Sequence, residues 1–446
     1  MQTLPKAQGE LAVTEQMPLV HEQQPVKGLL RAFVALRHRN FRLFWFGQLI
    51  SLIGTWMQSI GQAWLVLELT HSAFLLGLVG ALQFLPILLF ALFGGVLADR
   101  WPKRKVLLFT QSFAMTQAII LAVLVFTGTV QIWHIFVLAT LLGLTNSIDM
   151  PTRQAFVVEM VGHESLTNAI ALNSSVFNMA RIVGPGIGGL IIATLGVAPL
   201  FLLNAVSFIA VLIGLAMIDM KTLYDQPKRG AMLHNEPKQS TFQSLREGLT
   251  YIVRTPSVFL IIMVVGVISL FGINFNVVLP LFATEVLHVG ATGFGFISSA
   301  FGLGSLVAAL WLAWGNKKPS IIHLLVEATI FCVILGLFAL SGNYYLSLLL
   351  IAAVGFTQIS FSAIANTTLQ TVTPNHLRGR VMSVYMVVFA GSTPIGNLFI
   401  GGLAVLLGVP VALLSGATLS LAAAIGGWVF RKPAIKSLAE ANKVYE

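Results

Sequence analysis

Charged residues are scarce in this chain, and their scarcity excludes an ordinary soluble fold. Asp, Glu, Lys and Arg together make up 9% of the 446 residues, whereas hydrophobic residues make up 57%. A soluble domain carries about 25% charged residues. Apolar windows of about 20 residues, the length that a helix needs to cross a bilayer, recur along the whole sequence. The chain is therefore predicted to be an all-α membrane protein that lies in the lipid bilayer.

Cysteine and the common catalytic motifs are also missing. The single Cys332 lies in an apolar run, which excludes a disulfide within the chain. The alternation of apolar and polar residues that marks membrane β-strands is absent. No phosphate-binding GxxxxGK loop, HExxH, CxxC or GxSxG motif occurs, which argues against an ATP-driven pump and against an enzyme. We predict no cofactor and no metal site, and the polar first segment lacks the pattern of a signal peptide.

The apolar spans fall into two groups of six. The first bundle is predicted at residues 42–220 and the second at 257–430, with a polar linker at 221–256. Residues 1–41 and 431–446 form polar terminal segments. The twelve spans are expected at 43–69, 73–97, 106–127, 132–152, 166–194 and 197–220, and then at 257–286, 291–314, 320–341, 344–372, 379–407 and 410–430.

Positive charge lies on one side of this arrangement. If both termini are cytoplasmic, every Lys and Arg except Arg181 falls in a terminal segment, in the linker or in a cytoplasmic loop, the Lys317–Lys318 pair included. Lys and Arg stay on the cytoplasmic side when a membrane protein inserts, so the separation predicts both termini inside. The formal net charge of +10 is then explained by the membrane surface, and no nucleic acid is expected as a partner.

The loop between the second and third spans carries an acid among several bases. Arg100, Lys103 and Arg104 alone would be explained by the preference of positive charge for the cytoplasm. Asp99 adds nothing to that preference. Its position beside the bases indicates a specific pairing.

This loop resembles the loop 2–3 motif of the major facilitator superfamily. The matching residues are Gly95, Leu97, Ala98, Asp99, Arg100, Lys103 and Arg104, with Pro102 where the family has Gly. The segments NMARIVGPGIGGLI, MPTRQAF and TPNHLRGRVMS resemble the branch that includes bacterial siderophore and multidrug exporters. The resemblance covers nearly the whole chain. It implies two six-helix bundles, an inner-membrane location and secondary transport.

The resemblance also implies a cytoplasmic gate. In that family the acid of the motif accepts hydrogen bonds at the start of the eleventh helix and pairs with charges at the inner end of the fourth. An anion is stabilised at the positive end of a helix. We therefore expect the gate to latch the two bundles together, with a static interface as the alternative. The partners that the sequence offers to Asp99 are Asp149, Arg153, Arg378, Gly379 and Arg380.

The fifth span contains a glycine–proline segment that resembles the antiporter motif of the family. Its residues are Gly184, Pro185, Gly188 and Gly189. Small residues at this spacing allow helices to approach closely, and a proline within a helix favours a kink. Close packing alone is the simpler interpretation, whereas the resemblance suggests export.

Arg181 is the only base within a span, where a charged group is costly and is a functional hypothesis by default. It is predicted to bind an anionic group of the substrate or to pair with a titrating acid. The alternative is a structural pair with Asp149 or with backbone carbonyls.

Polar residues within the spans are candidates for the substrate cavity and for proton coupling. Gln58 and Gln62 share a face with Gly54, which we expect to point inward. The cavity candidates are Gln58, Gln62, Asn274, Asn276, Gln358 and Asn366, with hydrogen bonding between helices as the alternative. The carboxylates available for proton coupling are Glu68, Asp149, Glu285 and Glu327, and none of them stands out.

These expectations combine into one functional hypothesis. The chain is predicted to be a monomeric exporter of a small, moderately hydrophobic drug or siderophore, driven by proton antiport and working by alternating access. A carrier of another solute, such as a lipid or a metal, is the alternative within the same fold. A channel or a receptor would need neither the repeated bundle nor the gate.

Overall fold

The computed structural model describes residues 29–224, 241–314 and 320–445. Within these ranges the chain forms helices and short turns, and no β-strand occurs. A short 3-10 helix at Leu29–Arg37 precedes the first bundle. The first six helices are α1 (Arg39–Thr70), α2 (Ala73–Arg100), α3 (Lys103–Phe126), α4 (Ile132–Val161), α5 (Leu166–Leu195) and α6 (Ala198–Ala216).

The second half begins with a helix in the predicted linker, α7 (Thr241–Arg254). The Lys317–Lys318 loop and residues 225–240 of the linker lie outside the described residues. The remaining helices are α8 (Pro256–Phe271), α9 (Phe275–Leu281), α10 (Ala291–Trp314), α11 (Ile321–Ala339), α12 (Tyr344–Val372), α13 (Asn375–Leu407), α14 (Val409–Val429) and α15 (Arg431–Tyr445).

Eleven stretches among the described residues are long and apolar enough to cross a membrane. The expectation of an all-helical, multi-pass membrane protein is therefore confirmed. Helix α1 has 32 residues and is not among the eleven. Its apolar sequence is interrupted by Gln48, Gln58 and Gln62, which lower its mean hydropathy. A twelfth span remains a prediction.

The seventh predicted span is interrupted. Helix α8 ends at Phe271 and α9 begins at Phe275, so that Gly272 and Asn274 lie in a break within the stretch expected as one helix. The Asn274 side chain is 2% exposed, and its Nδ2 donates to Leu270 O at 2.8 Å. This bond satisfies one of the carbonyls that the break removes from the helical pattern. A π turn at Phe282–Val286 follows α9.

The two halves pack against each other along two seams, α5 against α10 and α2 against α13. At the first seam, Ser299 Oγ donates to Ile182 O at 2.7 Å, and a Cβ added to Gly189 would lie 2.6 Å from Ala291 O. At the second, a Cβ added to Gly401 would lie 2.7 Å from Ala73 O. Only glycine permits backbones to approach this closely.

These seam contacts run from the middle of each helix to the end of the bundle opposite the 3-10 helix and α15. We call this end the distal end, and the end that holds the 3-10 helix, α7 and α15 the terminal end. At the distal end, Trp64 of α1 also stacks on Phe294 of α10, with ring centroids 6.3 Å apart. The two halves are thus closely joined at the distal end.

Candidate functional site

Two bases in the first turn of α3 hold the first half together at the terminal end. Lys103 Nζ lies 2.6 Å from Glu159 Oε1 of α4. Arg104 Nε donates to Leu215 O at 2.7 Å, and its guanidinium also donates to Ala216 O. These carbonyls lie at the C-terminus of α6, and the C-terminus is the negative end of a helix dipole. Both bases therefore have specific partners within the first half.

Pro102 begins α3 in place of the family's glycine. Its φ of −59° is the value that its ring imposes, and its carbonyl accepts from Lys105 N at 2.9 Å. The loop is therefore short and leads directly into α3. Arg100 is exposed at the end of α2, and a Cβ added to Gly95 would meet nothing within 4 Å. Asp99 lies in α2, but its side chain is outside the described part of the structure.

A buried carboxylate lies beneath this loop. Asp149 of α4 is 5% exposed and accepts from Thr110 Oγ1 at 2.7 Å and from Gln111 Nε2 at 2.8 Å. Arg153, one helical turn later, donates to it twice, at 3.0 and 2.8 Å. The Arg153 guanidinium also lies 5.6 Å from the Phe44 ring centroid. The structure thus brings together two predicted gate residues, within the first half.

Thr110 and Gln111 were not among the site residues predicted from the sequence. They are single polar residues in an apolar span, and their only signal is that they are adjacent. The Asp149–Arg153 pair has a clearer signal, because residues four apart lie on the same helix face.

On the second half, the predicted gate segment contacts α7. Arg380 forms an ion pair with Glu247, and Tyr251 Oη donates to Val372 O at 3.5 Å. The Nε of Arg378 is buried without a hydrogen-bond partner among the described atoms, and Gly379 is exposed. Helix α7 therefore holds the start of α13. The sequence placed Glu247 in a polar linker, and so its role was not predicted.

Arg181 lies at the seam between α5 and α10, near the middle of both helices. Its Nη2 donates to Asn178 Oδ1 at 3.3 Å, and its guanidinium lies 5.6 Å from the Phe301 ring centroid. Its Nε is buried without a partner among the described atoms. The Asp149 carboxylate, proposed as a structural partner of Arg181, is bonded to Arg153 instead.

The glycine–proline segment of α5 packs on two sides. A Cβ added to Gly184 would lie 2.6 Å from Trp56 Cβ, and one added to Gly188 would lie 3.4 Å from Met57 Cα, both on α1. Gly189 contacts α10 on the other side, and Pro185 is buried between them. The segment therefore joins α1 to the opposite half through close packing.

The residues predicted to line the substrate cavity have different surroundings in the structure. Gln58 Oε1 accepts from Asn204 Nδ2 of α6 at 2.6 Å. The expectation that the Gly54 face points inward is wrong, because a Cβ added to Gly54 would meet Asn204 and Ser207 of the same half. Small residues on α1 and α6 allow this contact. Gln62 is 8% exposed.

The remaining polar candidates occupy different environments. Asn274 lies in the break before α9, whereas Asn276 is exposed. Gln358 is 7% exposed, and its Oε1 has no hydrogen-bond partner among the described atoms. Asn366 accepts a hydrogen bond from Gln370 on its own helix.

Three of the four candidate acids lie away from the centre of the bundle. Glu68 is exposed near the end of α1, Glu285 is exposed in the π turn, and Glu327 is half-buried on α11. Asp149 alone is buried. The described His, Cys, Asp and Glu residues form no group of three or more that could hold a metal ion.

A family model described as transmembrane secretion effector matches residues 30–445. The chain belongs to this family of the major facilitator superfamily. It is 27% identical over 377 residues to the staphyloferrin A transporter of Staphylococcus aureus, covering 80% of this chain and 87% of that protein. It is 28% identical over 384 residues to the multidrug efflux pump Tap of Mycolicibacterium fortuitum, covering 84% and 91%.

A third relative is the enterobactin exporter EntS of Shigella boydii, which is 27% identical over 390 residues, covering 87% of this chain and 90% of that protein. Among solved structures, the POT family transporter PepTSo superimposes with a TM-score of 0.68 over 89% of this chain and 98% of that one. Its sequence identity of 13% shows the fold alone. The chain is thus a multi-pass membrane transporter of a bacterial family and not an enzyme.

Proposed function

We propose that this transporter exports a small, moderately hydrophobic organic compound, such as a siderophore or a drug, across the bacterial inner membrane. The names of the three relatives support this substrate range. The surroundings of Arg181 support it as well. Phe301 lies against the Arg181 guanidinium, and the ring of Phe275 lies 4.5 Å from that of Phe301. A cation beside aromatic rings suits an anionic aromatic or amphiphilic compound.

The proposed mechanism is alternating access by two six-helix bundles, with α1 as the twelfth span. The observation that carries it is the pair of glycine seams at the distal end, where Gly189 and Gly401 bring the halves into close contact. We propose that these seams close the periplasmic side and that the terminal end faces the cytoplasm. The opposite state would separate the seams and join the halves at the terminal end. Packed interfaces of this kind are bistable.

We propose that Asp99 is the latch of that opposite state. Here, Arg380 at the start of α13 is paired with Glu247 of α7. In the proposed outward-open state, the start of α13 approaches the end of α2, and Asp99 engages this helix start, whose positive dipole end favours an anion.

We propose that protons drive export, with Asp149 as the coupling carboxylate. It is the buried acid of the four candidates, and it binds Arg153 at the terminal end. Its protonation would remove the negative partner of Arg153 and leave that base available to other groups.

Transport into inside-out membrane vesicles tests the function. Vesicles that contain the protein and are energised by respiration should accumulate a lipophilic dye or a catecholate siderophore, and a protonophore should abolish the accumulation. Asp99→Asn should lower the initial rate about tenfold or more without changing the thermal midpoint. The matched control is Lys105→Gln, because Lys105 is an exposed base in the adjoining first turn of α3. Accumulation that persists with the protonophore, or a normal Asp99→Asn rate, would contradict the proposal.

The role of Arg181 has a separate test. Arg181→Ala should reduce transport of an anionic siderophore more than transport of a neutral dye, and Arg181→Lys should restore part of the difference. An equal loss for both compounds would assign Arg181 to the structure of the seam.

A further inference from the structure

A cavity of about 350 Å³ opens at the terminal end, outside the gate and the seams. It lies where α7 ends, α8 begins and α15 crosses them. The residues that line it are Arg254, Thr255, Pro256, Pro433, Lys436 and Ser437. We call it the tail cavity. Neither transport nor gating as proposed above uses any of these residues.

The tail cavity combines positive charge with hydroxyl groups. Arg254 ends α7 and Lys436 projects from α15, and both are exposed. Neither has a carboxylate within salt-bridge distance among the described side chains. Thr255 and Ser437 add hydroxyls, and Ser437 Oγ lies 3.2 Å from Ser257 Oγ, which fixes α15 against α8. Two cations with nearby hydroxyl donors form a binding site for an oxyanion.

The side chains around the cavity are of the types that occur at the level of lipid headgroups. Val253 on α7 and Phe430 before α15 are each 68% exposed beside it. Such side chains are exposed to water only at a cost, whereas the acyl chains of a bilayer would cover them. Arg431 lies 5.2 Å from the ring centroid of Trp428, which donates to Thr329 Oγ1. Tryptophan and arginine at the end of a span mark the boundary between the hydrocarbon and water.

From this combination we infer that the tail cavity binds the phosphate of an anionic phospholipid, with Arg254 and Lys436 as its two cationic ligands. The acyl chains of the lipid would lie along the exposed side chains of Val253 on α7 and of Phe430, which precedes α15. The bound lipid would tie the linker helix α7 to the C-terminal helix α15, both of which belong to the second half. A headgroup without net charge would satisfy the two cations less well, so the site selects phosphatidylglycerol over phosphatidylcholine.

Native mass spectrometry of the full-length protein tests this inference. The protein in detergent is titrated with phosphatidylglycerol and, separately, with phosphatidylcholine, and the dissociation constant of the first bound lipid is measured. The wild-type protein should bind phosphatidylglycerol more tightly. Arg254→Gln with Lys436→Gln should weaken that binding roughly fivefold for each cation removed, or about 25-fold together.

A matched control removes the same charge from the same two helices. Arg246 and Lys432 are exposed on α7 and α15 and do not line the cavity. Arg246→Gln with Lys432→Gln should leave the dissociation constant within about twofold of the wild-type value. Equal weakening in both double variants would show that the surface charge as a whole attracts the lipid, and would overturn the site.

Two further outcomes are decisive. If millimolar inorganic phosphate displaces phosphatidylglycerol as effectively as the lipid displaces itself, the ligand is a free anion and the lipid inference is wrong. If the wild-type protein does not distinguish the two lipids, the inference is also wrong. Thermal midpoints in lipid-free detergent establish that each variant is folded. The measurement is of binding alone, so a failure of the proposed export function would leave it unaffected.

Discussion

At the scale of single residues, the best-defined feature is the hydrogen-bonded carboxylate of Asp149. It accepts four hydrogen bonds, from Thr110, Gln111 and Arg153, and it is 5% exposed. The cost of burying this charge is offset only while its partners remain. Such a group joins α3 to α4 and fixes the position of the loop above it.

Asp149→Asn should therefore destabilise the protein markedly. The Arg153 guanidinium would remain largely buried without an anion, a loss of about 3 kcal/mol or more. The thermal midpoint of the detergent-purified protein should fall by several degrees. The control is Glu164→Gln, which removes an exposed carboxylate just after α4 and should cost about 0.5 kcal/mol or less. Equal midpoints for the Asn variant and the wild type would contradict the burial argument and leave proton coupling as the only role for Asp149.

His38 provides a pH dependence outside the membrane. It precedes α1, lies 3.2 Å from Ser165 Oγ, and contacts the Tyr224 ring edge-on. Burial lowers the pKa of His38 below its usual value of about 6.5. Above that pKa, the His38 imidazole is neutral in both the folded and the unfolded protein. As the pH falls through it, the unfolded state takes up the proton first, so folded stability decreases.

The thermal midpoint should consequently fall between about pH 7.5 and pH 5.5, and it should fall less in His38→Gln. His163, an exposed histidine of the same half, serves as the control, and His163→Gln should follow the wild-type curve. A steeper fall in His38→Gln than in the wild type would reverse the inferred direction.

At the scale of elements, the α5–α10 seam depends on glycine. A Cβ at Gly189 would lie 2.6 Å from Ala291 O and 3.0 Å from Gly295 Cα, so a larger residue must push the helices apart. Thr292, whose hydroxyl lies 3.5 Å from Gly189 O, reports on this seam.

In a Cys332→Ala background, Thr292→Cys should be labelled slowly by a membrane-impermeant maleimide added to intact cells. Gly189→Val should raise the labelling rate about tenfold or more, because it opens the distal seam. Gly426→Val is the control, since a Cβ there would meet nothing within 4 Å. Equal rates in the two variants would show that the seam tolerates a side chain and does not close the distal end.

The elements also show what the sequence could predict. Most helices match the predicted spans to within a few residues, because the apolar runs are long and are bounded by turns. The break at Gly272–Asn274 was not predicted, since it depends on one side-chain hydrogen bond, from Asn274 to Leu270 O, which hydropathy does not register. The direction of the Gly54 face was predicted wrongly, because both neighbours of α1 are apolar helices and only packing distinguishes them. Helix α7 was overlooked because it is short and polar on one face.

Among the site residues, too, some contacts could be predicted from the sequence and others could not. A pair four residues apart on one helix, such as Asp149 and Arg153, could be predicted from spacing. The partners of Lys103 and Arg104 could not be, because Glu159 and the last carbonyls of α6 are distant in sequence and carry no motif.

At the scale of the whole molecule, the charge distribution and the seams divide the bundle in the same way. The described loops at the distal end contain no Lys or Arg, whereas the terminal end holds the bases at the end of α2, at the start of α3 and on α7, α13 and α15. The close contacts between the halves lie at the distal end. If the positive end is cytoplasmic, the distal seams lie on the periplasmic side, which is where the proposed mechanism requires them in the state that faces the cytoplasm.

Cysteine labelling tests this orientation without reference to any substrate. Thr129 lies in the exposed turn between α3 and α4 at the distal end, and Lys105 is exposed at the terminal end. Each is replaced by Cys, one at a time, in the Cys332→Ala background. An impermeant maleimide should label the first in intact cells and the second only after the membrane is permeabilised. The reverse pattern would place the termini outside. The distal seams would then close the cytoplasmic side, and the same glycine packing would describe a transporter that is open to the exterior.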